Sequence, residues 1–344
     1  MTSSAKSERT VLIPPELDPD ALAWPAADAG VWVLGGNTMG TVWQLRVPEV
    51  AHTSPTELQR RVEAVFQRVI QTMSPWEPAS DLARLNAASA GERVSVDAWT
   101  GRVLRRSLAY AAQTDGAFDP TVAPLVNSLG FGPQIVDASS AECRREAQRQ
   151  LRRPSWQTIQ VETDTQVLCP GGLHLDLCAI AKGFAIDQAV EVLHTIGLNS
   201  YLLEVGGEAF ARGCKPDRQP WWLLLETPSQ EETGATVPET VLALCGEAVA
   251  TSGNSQRQRS DASGSVGHIV DPQQVDLRDG ELLNVTVVHT HCMDADALAT
   301  ALFVKGRKQG LEHANAHGIR ARFLSRVASG RLEVSYSQAL AAYL

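Results

Sequence analysis

Helix-period and strand-period segments follow one another in this chain without alternating, and that order argues against a regular βαβ sheet. "SPTELQRRVEAVFQRVIQTMSPW" repeats Leu58, Val62, Val65, Val69 and Met73 at helical spacing. Ser54 and Glu57 open it as a capping box, with Pro55 in the first turn. "SVDAWTGRVLRRSLAYAAQTDGAFD" reads as a second helix ending near Asp115-Gly116. "LHLDL" reads as a short strand feeding a third helix, whose buried stripe is Ile186, Ala189, Val190, Leu193 and Ile196 and whose stop is Gly197. "TMGTVWQLRV", "SYLLEV", "WWLLLE", "VLALC" and "LNVTVVH" read as strands, "DADALATALFVKG" as a short helix, and "RARFLSRVASGRLEVSYS" as a hairpin. The expected fold is α+β, with mixed sheets and packed helices in a single large domain over residues 35–344. Residues 1–34, rich in proline (Pro14, Pro15, Pro19, Pro25), read as a partly extended N-terminal extension lying over that body.

The chain has 344 residues, 44% of them hydrophobic, which is enough for such a core. Its net charge of -9 argues against a nucleic-acid backbone as partner. No apolar run approaches the ~20 residues of a membrane span, so membrane insertion is not expected. The N-terminus shows no apolar signal segment, and the six cysteines form no CxxC pair. Both features lead us to expect a cytoplasmic protein with reduced, mostly buried thiols. One metal-like cluster, "HTHC", joins His289, His291 and Cys292, but no second half-site follows at a fixed spacing. Ordinary strand residues are the default reading there.

Several polar-glycine segments interrupt the periodic pattern far apart in sequence. In "DLCAIAKGFAIDQAVEVLHTIG", Asp176 and Lys182 flank a tight entry into a helix. Free N–H groups and the helix dipole make such an entry a candidate anion site, although from this stretch alone a capped helix with a solvated lysine is the favoured reading. In "DADALATA", Asp296 and Thr300 are four apart and share one helix face, with Asp294 suited to the cap. Such hard oxygen donors suit Mg²⁺, which takes one or two carboxylates and completes its shell with water and phosphate. The plainer alternative is a threonine bonded back to its own turn.

Taken together and in order, "MGT", "MSPW…SDLARLN", "GAFDPTVAPLVN", "DLCAIAKGFAID", "VGGE", "TSGN", "HIVDP" and "ADALATALFVKG" resemble the ApbE family of FAD:protein FMN transferases. The resemblance runs from about Asn37 to Gly306. It implies cleavage of FAD as substrate at its pyrophosphate with Mg²⁺. FMN then passes in phosphoester linkage to a Thr or Ser of an acceptor protein, with release of AMP. It places FAD contacts at Met39, Trp76, Ala117, Phe118, Asp119, Asp176, Lys182 and Val270, and metal ligands at the Ala179 carbonyl, Asp296 and Thr300. Trp76 has a ring that can stack on a flavin or adenine, and Lys182 can sit beside phosphate. His268 is the candidate base for the attacking hydroxyl, with a strand histidine holding its loop as the alternative. Alternative activities are a Mg²⁺-dependent FAD pyrophosphatase giving FMN and AMP, and a flavin-binding protein without turnover.

The chain departs from the family pattern at four places. Trp76 replaces a common Tyr, Cys178 replaces a small residue, the "SG" pair lacks its following aromatic, and "DPQQV" lacks the usual Arg-Thr-Gly. These changes leave the metal positions intact and fall partly on the acceptor side. A polar stretch, "EETGATVPE", also resembles an acceptor sequence, which makes Thr236 a candidate for self-modification beside its reading as a surface loop.

Overall fold

The computed structural model describes residues 9–133, 145, 149, 156–172, 174–227, 239–253, 258–261, 264–273, 281–327 and 330–344. Thr236 lies outside the described residues. The eight-stranded antiparallel sheet at the centre forms from strands scattered along the chain. These are β2 (Val31–Thr38), β3 (Thr41–Pro48), β7 (Tyr201–Val205), β8 (Glu208–Arg212), β11 (Glu247–Gly253), β14 (Leu282–His289), β15 (Arg320–Arg326) and β16 (Leu332–Tyr336), ordered β16-β15-β14-β11-β8-β7-β3-β2. The strand read in "TMGTVWQLRV" is thus the second arm of a hairpin. Thr38 pairs with Thr41 across a two-residue turn in which Met39 and Gly40 both have positive φ (46° and 75°). Turns of this kind match the twist of the flanking strands.

Helices cover one face of this sheet. They are α1 (Pro55–Met73), α2 (Asp81–Ala87), α3 (Ala98–Gln113), α4 (Ala123–Ser128), α5 (Cys178–Thr195) and α6 (Cys292–Ala316), whereas a short α7 (Gln338–Ala341) near the C-terminus packs Leu340 into the core of the opposite face. Ser54 caps α1 as expected, its hydroxyl accepting the Glu57 N–H at 3.3 Å. Helix α6 is longer than its sequence stretch promised and is interrupted at Gly306, where φ is 73° and ψ 174°. Among the described residues, no helix is long and apolar enough to cross a membrane.

The opposite face of the sheet carries a small sheet of β1 (Thr10–Leu12), β10 (Thr240–Leu244) and β9 (Trp221–Leu224). β1 pairs with β10 in parallel, so residues before 35 contribute a strand, and Leu12 is fully buried. Two further small sheets are β4 (Arg93–Ser95) with β6 (Gln166–Leu168) and β5 (Gln160–Thr163), and the β12 (Gln258–Asp261)–β13 (Gly264–Gly267) hairpin. This is an α+β fold.

Period-two alternation sorts the sheet residues into two cores. On β8, Phe210 joins the helix-facing core, whereas Ala209 and Ala211 join the core under the small sheet. On β11, Ala248 and Ala250 face the helices and Val249 faces away. By the same alternation Glu208 and Ser252 point toward the helices.

The strand expected at "LHLDL" is absent from the described residues 174–177. A side chain takes the place of a neighbouring strand there. Asn86 Oδ1 accepts the Leu175 N–H at 2.6 Å and its Nδ2 donates to the Leu175 carbonyl at 3.2 Å, while the Asp176 N–H goes to the Pro120 carbonyl at 2.8 Å. An apolar alternation alone does not reveal that the backbone partner is an amide side chain.

Candidate functional site

The site is built where α5 crosses α6. A Cβ at Gly183 would collide with the backbone carbonyl of Cys292, so glycine is what allows the two helices to approach there. Asp187, one turn further along α5, accepts the N–H groups of Cys292 and Met293 at 2.7 and 2.9 Å. A carboxylate at this position satisfies the open donors of α6 and suits its positive end, a role that the local residue His291 does not take. The Gly183 N–H in turn reaches Asp296 Oδ2 at 3.1 Å. Gly183 and Asp187 thus both meet the first turns of α6, and Ala179 lies one turn before Gly183 on α5. Gly183 N–H is also the donor that ordinarily closes a helix onto the residue 179 carbonyl. A carbonyl oxygen has two lone pairs, so the Ala179 oxygen can accept a second partner beside its helix bond.

Two buried carboxylates and a half-buried ammonium meet at this crossing. Lys182 Nζ lies 2.9 Å from Glu208 Oε1 and 3.7 Å from Asp296 Oδ2, and it reaches the Cys178 carbonyl at 3.5 Å. Burial pushes the Glu208 and Asp296 carboxyls above the usual carboxylate range, against the pull of the Lys182 ammonium. Burial alone would lower the Lys182 ammonium, but Asp296 and Glu208 outweigh it and the net shift is upward. One ammonium thus serves two carboxylates, and Glu208 Oε2 is buried without a hydrogen-bond partner. Such a set lacks one positive charge, and a divalent cation taking oxygen ligands fits it. Thr300 shares a 3.0 Å hydrogen bond with Ser252 of β11, which fixes its hydroxyl beside the same face.

The remaining sequence-predicted residues lie on other segments, each with its own local contacts. Asp176 Oδ1 accepts the Cys178 N–H at 2.7 Å and so shapes the entry to α5. Asp119 Oδ1 accepts from both the N–H and the hydroxyl of Thr121, and burial raises its carboxyl despite those bonds. The ring of Phe118 is buried against Tyr110, so the Ala117-Phe118-Asp119 run can offer a ligand its backbone and the Asp119 carboxylate. Val270 is likewise buried, packed with Leu125 and Leu129. His268 is half-buried, its ring edge-on to Phe131 at 6.4 Å. Gln273 Nε2 donates to the Asp115 carbonyl at 3.1 Å, which ties the His268–Val270 segment to the 115–119 segment. Met39 sits in the β2–β3 turn, and Trp76 is 55% exposed on the loop between α1 and α2.

The histidines of "HTHC" stand at the end of β14 and at the entry to α6, without capping that helix. Among the described residues, His289, His291 and Asp294 bring possible ligand atoms within 4.8 Å of one another, whereas Cys292 is buried. Asp294 is already held by Arg106 through two bonds of 2.7 and 2.9 Å, and His289 Nδ1 accepts the His291 N–H at 3.1 Å. A cation there would compete with a guanidinium at the positive end of a helix.

Glu208, Ser252 and Asp187 are absent from the candidate residues read in the sequence, although each lies in a quoted segment. After the Gly206-Gly207 turn, with φ of 60° and 102°, an acidic residue reads as the exposed start of a hairpin arm. Only the pairing of Val205 with Glu208, under α5, turns it inward.

A model of the ApbE family matches residues 39–323. The chain is 29% identical to the FAD:protein FMN transferase of Vibrio cholerae over 306 residues, covering 88% of this chain and 90% of that protein. It is 27% identical to the Escherichia coli K12 protein of the same name, covering 86% and 84%. The crystal structure of Pseudomonas stutzeri flavinyl transferase ApbE superposes with a TM-score of 0.78 at 29% identity, covering 92% of this chain and 98% of that one. The flavin transferase ApbE structure from Vibrio cholerae gives 0.80 at 27% identity, covering 92% and 100%. The matched span contains the whole α5–α6 crossing and the segments around it, and the chain belongs to the ApbE family.

Proposed function

We propose that this protein transfers FMN from FAD to a Thr or Ser hydroxyl of an acceptor protein, with Mg²⁺, releasing AMP. The observation that carries the reading is the α5–α6 crossing, where two buried carboxylates share one ammonium, and Thr300, one turn on from Asp296, bonds Ser252. The names of the relatives supply the reaction class.

In this reading the Ala179 carbonyl, Asp296 and Thr300 hold the cation, and Lys182 stands by the pyrophosphate. A bound Mg²⁺ supplies neutralisation of charge on the phosphate oxygens. Met39, Trp76, Ala117, Phe118, Asp119, Asp176 and Val270 line the FAD site, with Phe118 and Val270 contributing backbone. The acceptor oxygen attacks the FMN phosphorus, the bond to the AMP oxygen breaks, and His268 takes the hydroxyl proton. Residues in these places work by positioning and charge, as phosphoryl transfer requires. A cytoplasmic place of action belongs to the same proposal. It is supported by five free cysteines among the described residues, Cys169, Cys178, Cys214, Cys245 and Cys292.

Incubation of the protein with FAD, Mg²⁺ and a candidate acceptor tests this. AMP and an acceptor heavier by one FMN are expected, both dependent on acceptor and cation. AMP formed at the same rate without acceptor would replace transfer by hydrolysis, and FAD bound without AMP would leave a flavin-binding protein. An intact-mass spectrum of the enzyme alone checks Thr236, where an FMN adduct would make the chain its own acceptor.

A further inference from the structure

We infer that Glu208 is a positioning residue that holds the Lys182 ammonium off Asp296 and so keeps the Asp296 carboxylate open to a divalent cation. The inference rests on the metal assignment proposed above and adds to it a residue outside that ligand set.

The geometry is asymmetric. Lys182 makes its short contact, 2.9 Å, with Glu208 and stands 3.7 Å from Asp296. Asp296 is left with the neutral Gly183 N–H on Oδ2 at 3.1 Å. A lysine ammonium is a compact charge on a flexible stem, so it can swing between carboxylates within its reach. Without a second acceptor the ammonium would close on Asp296 and compete with any cation there. Glu208 is placed to prevent this by the sheet. It pairs with Val205 across the Gly206-Gly207 turn, faces the helices with Phe210, and is 4% exposed. Its Oε2 is buried and unpartnered, so the side chain is held in a dry place for something other than its own bonding. Residues behind the ligands of a metal set their orientation and charge, and their loss commonly weakens the metal by about 10- to 100-fold.

Mn²⁺ is a suitable probe because its free form is read directly by electron paramagnetic resonance, without FAD or acceptor. Glu208→Gln keeps the volume and an acceptor oxygen and removes the charge. We expect it to weaken Mn²⁺ binding about tenfold. In a Lys182→Met background, where no ammonium can close on Asp296, the same substitution should change Mn²⁺ affinity by less than about twofold. Equal losses in both backgrounds would make Glu208 a direct partner of the cation and overturn the positioning role. Unchanged binding in Glu208→Gln would overturn it as well. Should Glu208→Gln not fold, Lys182→Met alone decides. It is expected to bind Mn²⁺ at least as tightly as the wild type, and a tenfold loss contradicts the inference. Glu208→Asp, which retains the charge, should recover part of the affinity lost in Glu208→Gln. A protein that follows this pattern but forms no FMN adduct on any acceptor would fail as a transferase while the role of Glu208 stands.

Discussion

Asp294 and Asp296 stand two residues apart at the start of α6, both buried, and differ in the balance of charge around them. Asp294 faces α3, where Arg106 meets both its oxygens and also donates to the Tyr110 hydroxyl at 2.9 Å. Burial works to raise its carboxyl, but the Arg106 guanidinium prevails and holds it below the usual range. Asp296 faces α5, where one ammonium is divided between it and Glu208, and burial prevails over Lys182. A matched pair joins two helices and asks for nothing more. A mismatched set is costly in a protein interior unless a ligand completes it, so the imbalance marks the site.

The comparison is broken most directly by exchanging one carboxylate for an amide on each side. Asp296→Asn retains shape and removes the charge offered to the cation. It should lower AMP release about 100-fold at limiting Mg²⁺, with FAD binding largely retained. Release measured against Mg²⁺ concentration checks this, and wild-type turnover in EDTA would remove the metal from the mechanism.

Gly183→Ala tests the helix crossing that brings the charges together. The added methyl meets the Cys292 backbone, so we expect a loss of about 1–3 kcal/mol in denaturant unfolding and a raised Mg²⁺ requirement. Stability and Mg²⁺ dependence both unchanged would show that the crossing has room to spare.

Trp76→Ala probes a residue remote from both carboxylates in sequence. Loss of a stacking ring should weaken FAD by about 1–3 kcal/mol in titration calorimetry, with Trp76→Tyr mild. No change would take Trp76 out of the FAD site.

The smallest effect belongs to Asp294→Asn. The Arg106 side chain is 42% exposed, so water screens the pair and the loss of stability should be about 1 kcal/mol. Its Mg²⁺ dependence should match the wild type, the reverse of Asp296→Asn. A shared phenotype would erase the distinction between the two aspartates.

Much of the local structure was legible residue by residue. Ser54, Pro55 and the stripe from Leu58 to Met73 specify α1 because capping and helical period act within a few residues. Asp296 and Thr300 share a face for the same reason, and the tail hairpin appears as β15 paired with β16. The hairpin of β2 and β3 was half read. Its first arm, "VWVLGGNT", carries glycines that weaken a strand signal and are tolerated because β3 pairs along its whole length.

What the sequence alone determined is therefore what short-range forces encode: element type, caps, an α+β order, and the residue types of a candidate phosphate and metal site. Tertiary structure decided which of those residues meet. Glu208 became part of the site through the register of β7 with β8, and Ser252 through the face that β11 turns to α6. Asp187 became the cap of a helix more than a hundred positions away because Gly183 lets α5 and α6 touch. "LHLDL" is irregular where Asn86 bonds its backbone in place of a neighbouring strand. These are contacts between groups distant along the chain, set by packing and sheet register, and no local period or propensity carries them.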